Sequence, residues 1–122
     1  MTGYSIGEVA RQTGLSIDTL RYYERIDLLT DIGRNQSGHR CYSEDDLGWL
    51  NLLMCLRDTG MPIADMIRFA ALIRLGEATV SERIDLLSDH KQNVLNKIDQ
   101  MQRKLEGVEA KLNHYLQQEQ EG

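Results

Sequence analysis

From Thr79 onward the chain holds no proline, and apolar side chains recur there in alternating steps of three and four. They are Ile84, Leu87, Val94, Ile98, Met101, Leu105, Val108, Leu112 and Tyr115, with Lys91 in the same register. Such spacing lays them along one stripe of an α-helix, and sustained over about four heptads it forms a coiled-coil seam. A helix of about 38 residues is roughly 57 Å long at 1.5 Å per residue. The preceding residues are too few to cover a stripe of that length, so the seam predicts a homodimer pairing two such helices. Lys91 interrupts the stripe, and Gly107 weakens the helix by about 1 kcal/mol relative to alanine. Pairing therefore rests on the apolar positions around them. An intramolecular helical bundle is the competing arrangement, and heptads do not reveal strand direction.

The opposite end of the chain reads as two short helices joined by a glycine turn. In SIGEVARQTGL, Ser5 and Glu8 form a capping-box pair, Ile6, Val9 and Ala10 supply an apolar face, and Thr13-Gly14 supplies the turn. Ser16 then caps a second helix by accepting from its free amides, and that helix carries Thr19, Arg21, Tyr22 and Arg25. Those side chains can contact phosphates and base edges, and helix, turn and capped helix make a helix-turn-helix pattern. After Leu29 come turn formers Gly33, Asn35, Ser37 and Gly38, which fit a small hairpin with arms about Asp31 to Arg34 and His39 to Tyr42. Arg34 and Arg40 would then lean on a sugar-phosphate backbone.

Ser43, followed by Glu44, Asp45 and Asp46, starts a third helix ending near Gly60. Between Trp49 and Leu56 only Asn51 is polar, so this helix is expected to be buried nearly all round. Pro62 opens a fourth helix, with Ile63, Met66, Ile67, Ala70, Ala71 and Ile73 as apolar positions and Gly76 closing it. Its free N-terminal amides suit an anion, although Asp65 in the same turn would compete for them.

A net charge of −5 argues at first against nucleic acid. The distribution weakens that objection. Arg11, Arg21, Arg25, Arg34 and Arg40 balance Glu8, Asp18, Glu24, Asp27 and Asp31, so the first two helices and hairpin are neutral. Every basic residue before Lys91 is arginine, which suits forked contacts to phosphate or guanine. The longest apolar runs, Leu52 to Leu56 and Phe69 to Ile73, are far short of a membrane span, and a cytoplasmic location is expected. In that compartment Cys41 and Cys55 are not expected to form a structural disulfide.

LRYYERIDLL followed by GR and GHRCY resembles the MerR family of bacterial transcription regulators, and LLMCLRDTGMPI (Leu52 to Ile63) is similar to its NmlR/AdhR branch, responsive to aldehydes, other electrophiles or nitric oxide. The resemblance implies a mainly α fold: a winged helix-turn-helix DNA-binding domain over residues 1–77 with a supporting helix pair, a long antiparallel coiled-coil dimerisation helix over 78–119, and a tail at 120–122. It implies DNA contacts from Ser16, Thr19, Arg21, Tyr22, Tyr23, Arg34, His39, Arg40 and Met61. The partner is then double-stranded promoter DNA bound as a palindrome in a long spacer, distorted so that RNA polymerase engages it. Asp27 stands where the family usually has glycine, and Thr30-Asp31 replaces a common proline. Aspartate tolerates a left-handed backbone better than most residues, so only the angle of the wing is affected.

The resemblance also places Cys55 at the sensing position of the thiol-responsive branch. On the residues alone, Cys55 reads rather as a small core side chain near a helix C-terminus, where the dipole disfavours a thiolate. Activation would have to come from tertiary neighbours such as His90 or Lys91. Cys41 reads as a wing residue. Metal binding is not expected, since His39-x-Cys41 is the only short ligand spacing. No cofactor is expected either. A thiol enzyme lacks its CxxC, Gly-rich loop and nearby general base, so the chain is not expected to be an enzyme. The alternative to an effector-controlled regulator is a constitutive or architectural DNA-binding dimer with Cys55 inert.

Overall fold

The computed structural model describes residues 3–122. In chain order it contains α1 (Ile6–Thr13), α2 (Ile17–Arg25), β1 (Gly33–Arg34), β2 (Arg40–Cys41), α3 (Glu44–Asp58), α4 (Ile63–Leu75), a 3₁₀ turn (Glu77–Thr79) and α5 (Val80–Glu121). The fold is the expected one: mainly helical, with a small antiparallel hairpin and a long C-terminal helix.

Local chemistry accounts for the helix starts. Ser5 accepts from the Glu8 amide at 3.1 Å while Glu8 accepts from the Ser5 amide at 3.0 Å, closing the capping box on α1. Ser16 Oγ accepts from the Thr19 amide at 3.0 Å, and Ser43 with Asp46 closes a second capping box on α3. Each such cap satisfies orphan amides, and its loss typically costs about 0.5–2 kcal/mol. Gly14 ends α1 in the left-handed region, at φ 77°, as the turn between two crossing helices requires.

The chain divides into two compact units, up to Leu86 and from Leu87 to Gly122. In the first, Val9, Leu20, Tyr23, Leu50, Leu53, Leu56, Met66 and Phe69 form one core contributed by α1 to α4. The first turns of α5 belong to this unit: Leu86 is buried, and Thr79 donates to the Leu72 carbonyl at 2.6 Å while accepting from Arg83 at 3.1 Å. The second unit is a single helix whose side chains are nearly all exposed. Among the described residues no helix is long and apolar enough to cross a membrane.

Two expectations about packing change. The third helix is not covered on all sides: Leu47, Leu50, Leu53 and Leu56 face the core, whereas Leu52 is 38% exposed and Cys55 is exposed. The 3.6-residue period gives α3 a second apolar face that the core cannot also reach. Similarly, α4 buries Met66, Phe69, Ala70 and Leu72 while Ile63 and Ile73 stay exposed.

Candidate nucleic-acid interface

The site is built on α2 and the hairpin. Leu20 and Tyr23 bury one face of α2 in the core, which leaves Arg21, Tyr22 and Arg25 exposed on the other. Arg25 lies over the Tyr22 ring, 5.7 Å from its centroid. At the helix start Ser16 Oγ also donates to Thr19 Oγ1 at 2.9 Å, so both hydroxyls sit beside the free N-terminal amides. That arrangement favours an approaching phosphate.

The hairpin is shorter than expected. Its ladder pairs Gly33 with Cys41 and Arg34 with Arg40, because Asn35 takes over the turn. The Asn35 side chain accepts from the amides of Ser37 (2.9 Å) and His39 (3.1 Å), and Gly38 adopts φ 82°. Arg34 donates across this turn to the Gly38 carbonyl at 2.7 Å, stiffening a tip that also carries exposed His39. Tyr4 pairs with Tyr42 beyond the ladder, a contribution from the N-terminal residues that no motif in the sequence indicated.

The loop between α2 and the hairpin is pinned from behind. Asp27 and Asp31 take left-handed conformations, at φ 63° and 60°, in keeping with the tolerance expected of aspartate. Trp49, stacked on Phe69, donates from Nε1 to the Leu28 carbonyl at 2.6 Å, and Arg74 donates to the Asp27 carbonyl at 2.9 Å.

Together these elements form a cleft of about 660 Å³ lined by Arg21, Arg25, Arg34, His39, Arg40 and Glu24 among others. Four arginines converge there against one carboxylate, so the neutral balance of the N-terminal residues hides a locally positive surface.

The structure moves two expected contacts out of the interface. Tyr23 is only 4% exposed, since the 100° turn per residue that exposes Tyr22 carries Tyr23 into the core. Met61 is 5% exposed and its amide is already donated to the Leu56 carbonyl at 2.9 Å, because Gly60 folds the chain back over the end of α3. A third residue, Arg40, is turned toward protein: Nε and Nη2 donate to Glu24 Oε2 at 2.9 and 2.6 Å, raising the guanidinium pKa above its ordinary value. The sequence shows Glu24 only as one charge in the balance of the N-terminal residues and gives no sign of its pairing with Arg40. At the start of α4 no side chain caps the helix, so Asp65 does not occupy the free amides there.

A positive cleft between a capped helix and a hairpin is a DNA-reading arrangement, and comparison with known proteins agrees. The family model for the MerR HTH family regulatory protein matches residues 4–71. The chain belongs to the MerR family. It is 38% identical over 112 residues to an uncharacterized HTH-type transcriptional regulator of Haemophilus influenzae, spanning 92% of this chain and 83% of that protein. It is 38% identical over 91 residues to the HTH-type transcriptional regulator AdhR of Bacillus subtilis, spanning 75% of this chain and 65% of AdhR. Among solved structures, it is similar to HiNmlR, a MerR family regulator lacking the sensor domain, bound to promoter DNA, with a TM-score of 0.86. The two share 37% identity over 95% of this chain and 92% of that one. These relatives are transcriptional regulators, not enzymes.

For this MerR-family chain the remaining sequence-derived residues lie on α3 and α5. Cys55 is exposed on α3, and its carbonyl accepts from the Thr59 amide (3.1 Å) and hydroxyl (2.7 Å). Ile84, Leu87, Ile98, Met101, Leu105, Val108, Leu112 and Tyr115 are exposed on α5, with Val94 half-buried. Leu95 and Leu116 widen the stripe beyond the heptad positions. Among the described residues no group of three or more His, Cys, Asp or Glu is placed to hold a metal ion.

Proposed function

We propose that this chain regulates transcription by binding promoter DNA as a homodimer. In this reading α2 enters the major groove while the hairpin flanks it on the backbone. One observation carries the reading: Arg21 and Arg25 of α2 open into the same cleft as Arg34 and His39 of the hairpin. Base edges and phosphates lie at different depths of a duplex, and a helix beside a ribbon addresses both. Promoter DNA bound to the similar HiNmlR supports the choice of ligand.

The exposed apolar stripe of α5 supports pairing with a second copy, which in this family runs antiparallel. A twofold dimer calls for a palindromic operator, and distortion of a long promoter spacer typically costs on the order of 1–6 kcal/mol. Paired heads and hairpins must offset that. RNA polymerase is engaged through the altered DNA. The test is fluorescence anisotropy with the duplex upstream of the chain's own gene, titrated at several salt concentrations. Steeply salt-dependent binding is expected, and absence of binding, or binding indifferent to salt, defeats the reading.

The finer part of the proposal is that an electrophile modifies Cys55 and shifts the heads between two shapes. Exposure of Cys55 supports it, since the thiol is reachable from solvent in the described chain. Replacing Cys55 by serine and measuring promoter induction with formaldehyde, methylglyoxal or a nitric oxide donor decides between sensor and constitutive binder. Induction unchanged in the serine variant sinks the sensor.

A further inference from the structure

We propose that Glu24 is a positioning residue for DNA binding, holding the hairpin against α2 through Arg40 so that Arg34 and His39 reach the backbone. The inference rests on the DNA-binding reading above. A hairpin with only two paired residues on each strand is marginal alone and needs an external tie. Glu24 supplies one across a separation of 16 residues, with one oxygen accepting from two nitrogens of Arg40. The pair is partly removed from water, with side-chain exposures of 18% for Glu24 and 34% for Arg40. Under those conditions deleting one partner leaves the other poorly compensated. The second carboxylate oxygen, Oε1, is buried with no hydrogen-bond partner among the described residues, so the carboxylate is held inward by the clamp rather than by solvation.

The charge of Glu24 gives a clamp and a simple acid effects of opposite sign on DNA binding. An acid in a cleft lined by Arg21, Arg25 and Arg34 should by simple electrostatics weaken phosphate binding. Its removal should then tighten the complex. A clamp predicts the opposite sign, because losing it releases the hairpin.

The experiment uses the full chain and a duplex that it enriches from a random double-stranded pool. Glu24→Gln is expected to weaken binding by on the order of tenfold or more, and hydroxyl-radical protection is lost on the hairpin side but kept over the α2 groove. Arg34→Ala should weaken the wild-type complex yet add little in the Glu24→Gln background, because the hairpin is already displaced. Binding by Glu24→Gln as tight as wild type, or tighter, overturns the clamp. If Glu24→Gln fails to fold by circular dichroism, the charge-swapped pair Glu24→Arg with Arg40→Glu decides: a restored hairpin footprint supports the clamp, and a folded protein without it refutes it. Wild-type protein that enriches no duplex overturns the DNA reading itself, a result distinct from any behaviour of the variants.

Discussion

Arg21→Ala is the perturbation whose effect follows most directly from the geometry. Arg21 is exposed on α2, lines the cleft, and makes no hydrogen bond or ion pair among the described residues. Truncating it should therefore change stability by less than about 0.5 kcal/mol, as for surface residues without partners. In the proposed homodimer its effect on DNA is carried twice, once per head. If each Arg21 forks onto a guanine at about 1–3 kcal/mol, the dimer loses about 2–6 kcal/mol, a weakening of roughly 30-fold to 10⁴-fold. If instead each meets a phosphate, the salt slope of log K falls by about 1.8, from about 0.9 per contact. Anisotropy titrations across a range of salt, with a thermal melt as control, read both quantities. Affinity within twofold of wild type together with an unchanged slope would falsify the assignment of α2 as the reading helix.

Ile98→Asp places a charge on the exposed stripe of α5 without disturbing the head, so light scattering should show a monomer that still melts as wild type. Asp27→Val forces a β-branched residue into the left-handed region at φ 63° and should lower stability by about 1–2 kcal/mol in denaturant titrations. Asp27→Gly should hold or raise it. Tyr4 donates to the Glu44 carboxylate, and that hydrogen bond, followed by the carboxylate's charge, raises its pKa above the ordinary value of 10.0. Because the folded state favours the protonated phenol, its contribution is intact below pH about 10 and is lost as pH rises through the raised value. Phenolate absorbance should show two late-titrating groups, Tyr4 and the buried Tyr42, of which Tyr4→Phe removes one. A titration identical in the two proteins contradicts the contact.

Much of this architecture was legible because it is local. Ser5, Ser16 and Ser43 announce their helices through hydroxyls that accept from the orphan amide three residues on, and Gly14 and Gly76 mark the ends. The heptad run gives α5 directly. What escaped the sequence depends on which way a side chain points or on partners far along the chain. Tyr22 and Tyr23 look alike in sequence, yet the 100° step between adjacent helical residues sends one to solvent and the other to the core. The apolar content of α3 predicts burial, whereas Leu52 and Cys55 belong to a face the head leaves open. The pairing of Glu24 with Arg40 has no periodic signal at all. Arg40 therefore looked like a phosphate contact until its carboxylate partner was in view.

In the proposed assembly two heads read DNA together, brought into one dimer by paired α5 helices. Selecting bound duplexes from a random pool with the full-length wild-type chain tests this most directly. The expected result is an inverted repeat with two equivalent half-sites, bound by two chains per duplex. Enrichment of a single asymmetric element bound by one chain would contradict it.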